Sequence, residues 1–175
     1  MDIEDVLHFT SILEQSTNKL WGCHFAVPQV VAATLIAQRE DRRVVCILNE
    51  KTQYQCAMLP RGDGTFLITV NKKIQKDLSL TIGSHVQVSL RKDESEYGLP
   101  MPEELAEVLA QDAAGNRLFH ALTPGKLRTL LYIVGKPKHS DTRVQVALTI
   151  VEHLKANAGK INYRQLGEAI KGNTL

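Results

Sequence analysis

Val70–Leu90 reads VNKKIQKDLSLTIGSHVQVSL and contains a complete small folding unit. Val70 ends an extended apolar run. Asn71 carries the side-chain acceptor that a helix start uses, and Ile74 and Leu78 lie four apart on one face of a short helix. Gly83 turns the chain, and Val86, Val88 and Leu90 then alternate as a half-buried strand does. The same unit occurs once before. Phe25–Ile47 laid over Ile68–Leu90, an offset of 43 residues, superposes Phe25 on Ile68, Val27 on Val70, Val31 on Ile74, Leu35 on Leu78, Val45 on Val88 and Ile47 on Leu90. Pro28 stands where Asn71 stands. It suits a helix start because it lacks an N–H that would go unpaired there. What repeats is the apolar pattern, not the charge. A strand–helix–strand unit present twice implies a pseudo-twofold axis.

Outward from the repeat, period-two alternation adds further strands. Leu7, Phe9 and Leu13 mark the first; Trp21, Cys23, Phe25 and Val27 the second. Val44–Leu48, Tyr54–Met58, Phe66–Val70 and Val86–Leu90 are the remaining four. PRGDGTF at 60–66 is a turn between two strands, with Gly62 and Gly64 free to take positive φ and Asp63 capping the bend. Six short strands interrupted by two short helices predict a closed six-stranded, pseudo-twofold β-barrel, because closure removes open edges.

Beyond the charged and Gly/Pro-bearing stretch KDESEYGLP at 92–100, the period becomes helical. Pro102 with Glu103 and Glu104 opens a helix whose buried stripe is Leu105, Val108 and Leu109. A short helical turn is expected at 116–122. Thr123-Pro124 starts a helix through Val134. Ser140 or Asp141 starts another to about Ala156, with Val144, Ala147, Leu148, Val151 and Leu154 inward, ending near Gly159. Asn162 caps a last one bearing Leu166, Ala169 and Ile170. The expectation is an α+β chain: a β-barrel domain over 1–95 and a small helical region over 99–175.

The bulk composition suits this. The chain has 175 residues, 43% hydrophobic and 23% charged, which is ordinary for globular domains. Net charge is +2, too little to declare a nucleic-acid or membrane partner. The first 98 residues carry 11 basic and 12 acidic side chains; Leu99–Leu175 carry 10 and 7, so the surplus lies in the second part. Cys23, Cys46 and Cys56 include no Cys-x-x-Cys pair and read as small core residues of a reducing compartment. The acidic start MDIEDVLHFT has no basic region ahead of an apolar one, and no apolar run reaches the length of a membrane span. The expected location is cytoplasmic.

The second half resembles the YdeI/OmpD-associated family, also labelled bacteriocin-protection proteins. MPEELAEVL at 101–109 and FHALTPGKLRTLLYIVGKPKHSDTR at 119–143 carry the resemblance, through Pro102–Leu105, Phe119–Pro124, Gly135-Lys136 and Thr142-Arg143. The family commonly has Trp-Ile where Tyr132-Ile133 stands, and basic residues where VQVAL follows Arg143. The first half resembles the uncharacterised barrel domain that often precedes that family, through WGCHFAVPQVV, GTFLITVNKKIQKDL and GSHVQVSL. The resemblance implies a double-split, AbrB-like barrel, and protection against bacteriocins or envelope stress with no assigned reaction.

Three kinds of chemistry are open to these residues. In the barrel, Lys72, Lys73 and Lys76, and near the equivalent place Arg39, Arg42 and Arg43, offer cations to phosphates. Glu40, Asp41 and Asp77 among them make a solvated mixed face the plainer reading, and AbrB-like DNA binders build their site from two chains. DNA binding is the weaker alternative. In Arg117–Arg143, six cations (Arg117, Lys126, Arg128, Lys136, Lys138, Arg143) accompany one acid, Asp141. The turn GKPKHSDTR leads into a helix start, where free N–H groups and the dipole favour an anion. Lys136, Lys138 and Arg143, with Arg128, are the candidate site for a small anion or a protein partner; a solvated loop is the plainer alternative. For an enzyme there is no His/Cys metal spacing, nucleophile elbow, phosphate loop or dinucleotide fingerprint, so no catalytic residue, metal or cofactor is expected. Trp21 reads as a core or barrel-mouth aromatic, or else a stacking platform.

Overall fold

The computed structural model describes residues 6–17 and 22–174. The chain divides into two compact units, Met1–Glu94 and Ser95–Leu175. The first holds β1 (Leu7–Ile12), β2 (Glu14–Gln15), β3 (Cys23–Val27), α1 (Gln29–Gln38), β4 (Arg43–Leu48), β5 (Thr52–Ala57), β6 (Leu59–Pro60), β7 (Phe66–Thr69), α2 (Lys72–Asp77) and β8 (His85–Lys92). Two four-stranded antiparallel sheets result, ordered β1-β8-β4-β5 and β2-β3-β7-β6.

The closed six-stranded barrel is therefore corrected to two sheets, and the ladders do not identify an AbrB-like arrangement. The runs Leu7–Leu13 and Tyr54–Met58, expected as single strands, each break at a corner. At Leu13 the chain leaves the first sheet for the second, and at Met58 it does so again. Both corner residues are fully buried. Their backbones stay satisfied: Leu13 N–H donates to Ser84 O (2.9 Å) and Met58 N–H to Arg42 O (2.9 Å). Alternation reports which residues face the core, and Leu13 and Met58 continue that alternation across the corner. It carries no information about which strand supplies the hydrogen bonds.

The repeat is expressed in the ladders. Exchanging β1 with β5, β2 with β6, β3 with β7 and β4 with β8 turns each sheet order into its own reverse. Phe25 pairs with Ile68, the residue onto which the offset superposes it. Cys46–Leu90 and Ile47–Ser89, adjacent rungs between β4 and β8, exchange under the same offset. Asn71 caps α2, accepting the Ile74 N–H at 2.9 Å. Pro28 precedes α1, which buries Ala32 and Leu35, with Val31 packed at the margin. Phe25, Leu48, Ile68 and Leu90 are among the fully buried core side chains.

A buried lysine closes this unit. Lys92 ends β8 with 5% exposure, and its ammonium donates to the carbonyls of Arg39 (3.0 Å) and Asp41 and pairs with the Asp41 carboxylate (3.0 Å). Cation and acceptors at the C-terminal end of α1 satisfy each other, as a buried charge requires. The three thiols form no disulfide. Burial pushes Cys46 up to about 12, so it stays protonated and serves as packing. Trp21 lies outside the described residues.

The second unit is helical: α3 (Glu103–Gln111), α4 (Ala113–His120), α5 (Pro124–Gly135), α6 (Ser140–Ala156) and α7 (Tyr163–Asn173). Asp112 caps α4 through Gly115 N–H (2.8 Å), and Asn162 caps α7 through Gln165 N–H (3.0 Å). Helix α6 is central and packs against the other four. Its buried face is consequently wider than one stripe and rotated from the expected one. Val146, Ala147, Ile150, Val151 and Leu154 are buried, Val144 is half-buried, and Leu148 is 43% exposed. His153, also buried, accepts the Asn162 N–H on Nε2 (3.1 Å) and so fixes the start of α7.

Helix α4 approaches α6 closely enough that a Cβ on Gly115 would overlap Val151 Cγ1, whereas one on Gly167 would meet open space. Ala is the better helix former at both positions by up to about 1 kcal/mol. Gly167→Ala is expected to raise unfolding stability by up to that amount. Gly115→Ala is expected to lower it by about 1–3 kcal/mol through overpacking. Urea unfolding of the two variants checks the contrast.

Candidate functional site

The turn joining α5 to α6 organises the basic segment. Lys136 caps the C-terminal end of α5, its N–H donating to Tyr132 O (3.1 Å). Arg143 lies in the first turn of α6 and folds back over the turn. Its Nη1 donates to Pro137 O (3.0 Å) and Lys138 O (2.9 Å), and its Nε donates to Glu104 Oε1 (2.8 Å). Ser140 Oγ donates to the same carboxylate oxygen (2.9 Å). Glu104 belongs to the first turn of α3, so Arg143 ties the α5–α6 turn to the start of α3. Glu104's own backbone N–H, then Arg143 and Ser140, hold its carboxyl below the usual range. No hydrogen bond from Arg143 Nη2 is found among the described residues.

A groove of about 410 Å³ opens beside this junction. Leu99, Pro100, Pro102, Leu131, Tyr132 and Gly135 form its walls, and Glu104, Lys136 and Arg143 supply its charges. Tyr132 is 64% exposed, a large aromatic surface standing open to solvent. Of the four expected site residues, the structure brings Lys136 and Arg143 to this groove. Lys138 contributes its carbonyl to Arg143, and its side chain does not line the groove; nor does that of Arg128, half-buried on α5.

The other candidate side chains singled out in the sequence do not line this groove. His120 Nδ1 donates to Asn116 O (3.0 Å), which can only accept, and Nε2 shares a hydrogen bond with the Tyr97 hydroxyl (2.9 Å). Lys72, Lys73 and Lys76 are exposed on α2, and Lys73 pairs with Asp77 (3.0 Å). Arg39 pairs with Asp41 (2.7 Å). The 60–66 turn is a hairpin connection between β6 and β7, closed by Arg61 N–H to Thr65 O (3.0 Å). No group of three or more His, Cys, Asp or Glu suited to a metal occurs among the described residues, and no helix there is long and apolar enough to cross a membrane.

A second groove, about 680 Å³, runs between α3 and α6 and was not anticipated. Two ion pairs bracket it: Arg143–Glu104 (2.8 Å) where both helices start, and Lys155–Asp112 (2.7 Å) where both end. The pairing of like ends makes α3 and α6 run parallel. Val108, Val144 and Leu148 floor the groove, and Glu103, Glu107 and Glu152 edge it. The i, i+4 spacing of Glu103 and Glu107 was visible in the sequence; the partner helix was not.

The fold defines an α+β protein with a two-sheet antiparallel unit and a five-helix unit bearing a cation-edged apolar groove. Residues 9–90, spanning nearly all of β1–β8, match the family model of a domain of unknown function, DUF1905. Residues 99–157, which contain every groove residue, match the model described as Bacteriocin-protection, YdeI or OmpD-Associated. Together the two matches cover most of the chain, each of them less than half of it. No curated protein matches it.

The bracketing pairs make stability depend on pH. Glu104 and Asp112 are held below their ordinary 4.5 and 3.8, Asp112 by Lys155 and the Gly115 N–H. A depressed carboxyl stabilises fully above its unfolded value and stops doing so as pH falls through its folded one. Lys155 is raised above 10.5 by Asp112 and Glu152, so its contribution is full below 10.5 and fades above its folded value. Thermal unfolding followed by circular dichroism should therefore plateau between these limits and decline in acid. Glu104→Gln should unfold at lower temperature near neutrality, and its deficit should shrink as acid protonates the parent Glu104.

Proposed function

We propose that this chain is a non-enzymatic, cytoplasmic binding protein with a bacteriocin-protection-like role, and that its helical unit takes a small anion in the groove edged by Lys136 and Arg143. The observation that carries the reading is the preset Arg143 guanidinium. Three acceptors orient it and leave Nη2 without a hydrogen bond among the described residues, and Arg143 and Lys136 both line the groove. A charged donor already fixed by its neighbours loses little freedom when a ligand arrives. The bacteriocin-protection match over 99–157 covers the whole groove, which supports placing the role in this unit. A DNA-binding role draws no comparable support from the exposed, partly paired lysines of α2. For the first unit we propose an opened relative of the double-split, AbrB-like barrel, a reading supported by its self-reversing strand orders.

The test is an amide-resolved NMR titration with acetate, inorganic phosphate, hexanoate and benzoate at fixed ionic strength. At least one anion should shift Gly135 and Lys136 saturably, and Lys136→Glu should weaken that binding by roughly tenfold or more, since it replaces attraction by repulsion. Absence of any saturable shift at these residues would remove the reading.

A further inference from the structure

We infer that the ligand of this groove is a monocarboxylate on an apolar body, an aromatic or medium-length aliphatic acid; this rests on the anion-binding reading above. The charge balance comes first. Lys136 and Arg143 bring two positive charges and Glu104 one negative, leaving a surplus of a single charge on the lining. That balance suits a monoanion better than a doubly charged phosphate.

The donor inventory points the same way. A phosphate needs several N–H or O–H donors to replace its hydration. Pro100 and Pro102 have no backbone N–H, and Leu99 and Leu131 present hydrocarbon. Arg143 has already committed Nε and Nη1, so its Nη2 remains with the Lys136 ammonium, one charged donor group for each carboxylate oxygen, and the Tyr132 hydroxyl is the other side-chain donor on the lining.

The remaining lining decides the body of the ligand. Tyr132 offers an exposed aromatic face, and the proline and leucine side chains complete an apolar trough. About 410 Å³ falls within the range of small-molecule sites, which are mostly apolar with a few placed polar groups. Acetate would leave most of this surface wet. A six-carbon chain or a benzene ring would cover it.

The experiment is the anion titration of the full chain extended with the neutral amides hexanamide and benzamide and with the variant Tyr132→Ala. Hexanoate or benzoate should bind at least about tenfold tighter than acetate, phosphate and either amide. Tyr132→Ala should cost roughly ten- to two-hundredfold for that acid, the range of a lost apolar contact, and leave acetate unchanged. If acetate or phosphate binds as tightly as the apolar acids, the site still takes anions but the inference fails. If the amides equal the acids, the carboxylate is not recognised and the inference fails. If nothing saturates, the anion-binding reading itself falls. Unchanged affinity in a folded Tyr132→Ala variant, checked by circular dichroism, also overturns the inference.

Discussion

Glu104 Oε1 receives both Arg143 Nε and Ser140 Oγ, and this one oxygen fixes how the helical unit is built around its grooves. Arg143 would otherwise be a surface cation on a basic turn. Paired at 25% exposure with a carboxylate at 12%, it joins α6 to α3 and, through Pro137 and Lys138, locks the turn leaving α5. Three helices thus converge on one guanidinium. A bidentate-capable, always-charged fork suits this task where a lysine would not. The same contact separates the two grooves, since Glu104 lines both.

The two units reach order by different means. The first repeats a strand–helix–strand unit whose copies exchange ladder partners, so that its core is assembled from equivalent apolar positions such as Phe25 and Ile68. Its buried Lys92 is held by two carbonyls and a carboxylate near the end of α1. The second has no repeat. It depends on a central helix, α6, packed by four others, and the ion pairs that join α3 to α6 lie at the helix ends.

Much of the fold was legible because apolar period reports burial directly. The repeat placed β3, α1, β4, β7, α2 and β8, and the caps Asn71 and Asn162 and the first-turn Pro124 marked helix starts. The corners at Leu13 and Met58 were not legible, because a residue buried on both sides of a bend keeps the same alternation as a straight strand. Leu148 was assigned inward because one stripe was assumed, whereas α6 touches neighbours on several sides. At the candidate groove, the sequence had singled out two of the lining residues, Lys136 and Arg143. The apolar walls were not legible, because Leu99–Pro102 reach Leu131–Lys136 only in the folded unit. Nor was the neutralising partner of Arg143, which lies 39 residues away on α3.

The decisive measurement is a crystal structure of the chain with benzoate. The account predicts the carboxylate within hydrogen-bond distance of Arg143 Nη2 and Lys136 Nζ, with the ring against Tyr132 and the prolines, and the Arg143–Glu104 pair intact. Benzoate bound elsewhere, or lying in the groove with its carboxylate turned to solvent, would contradict it.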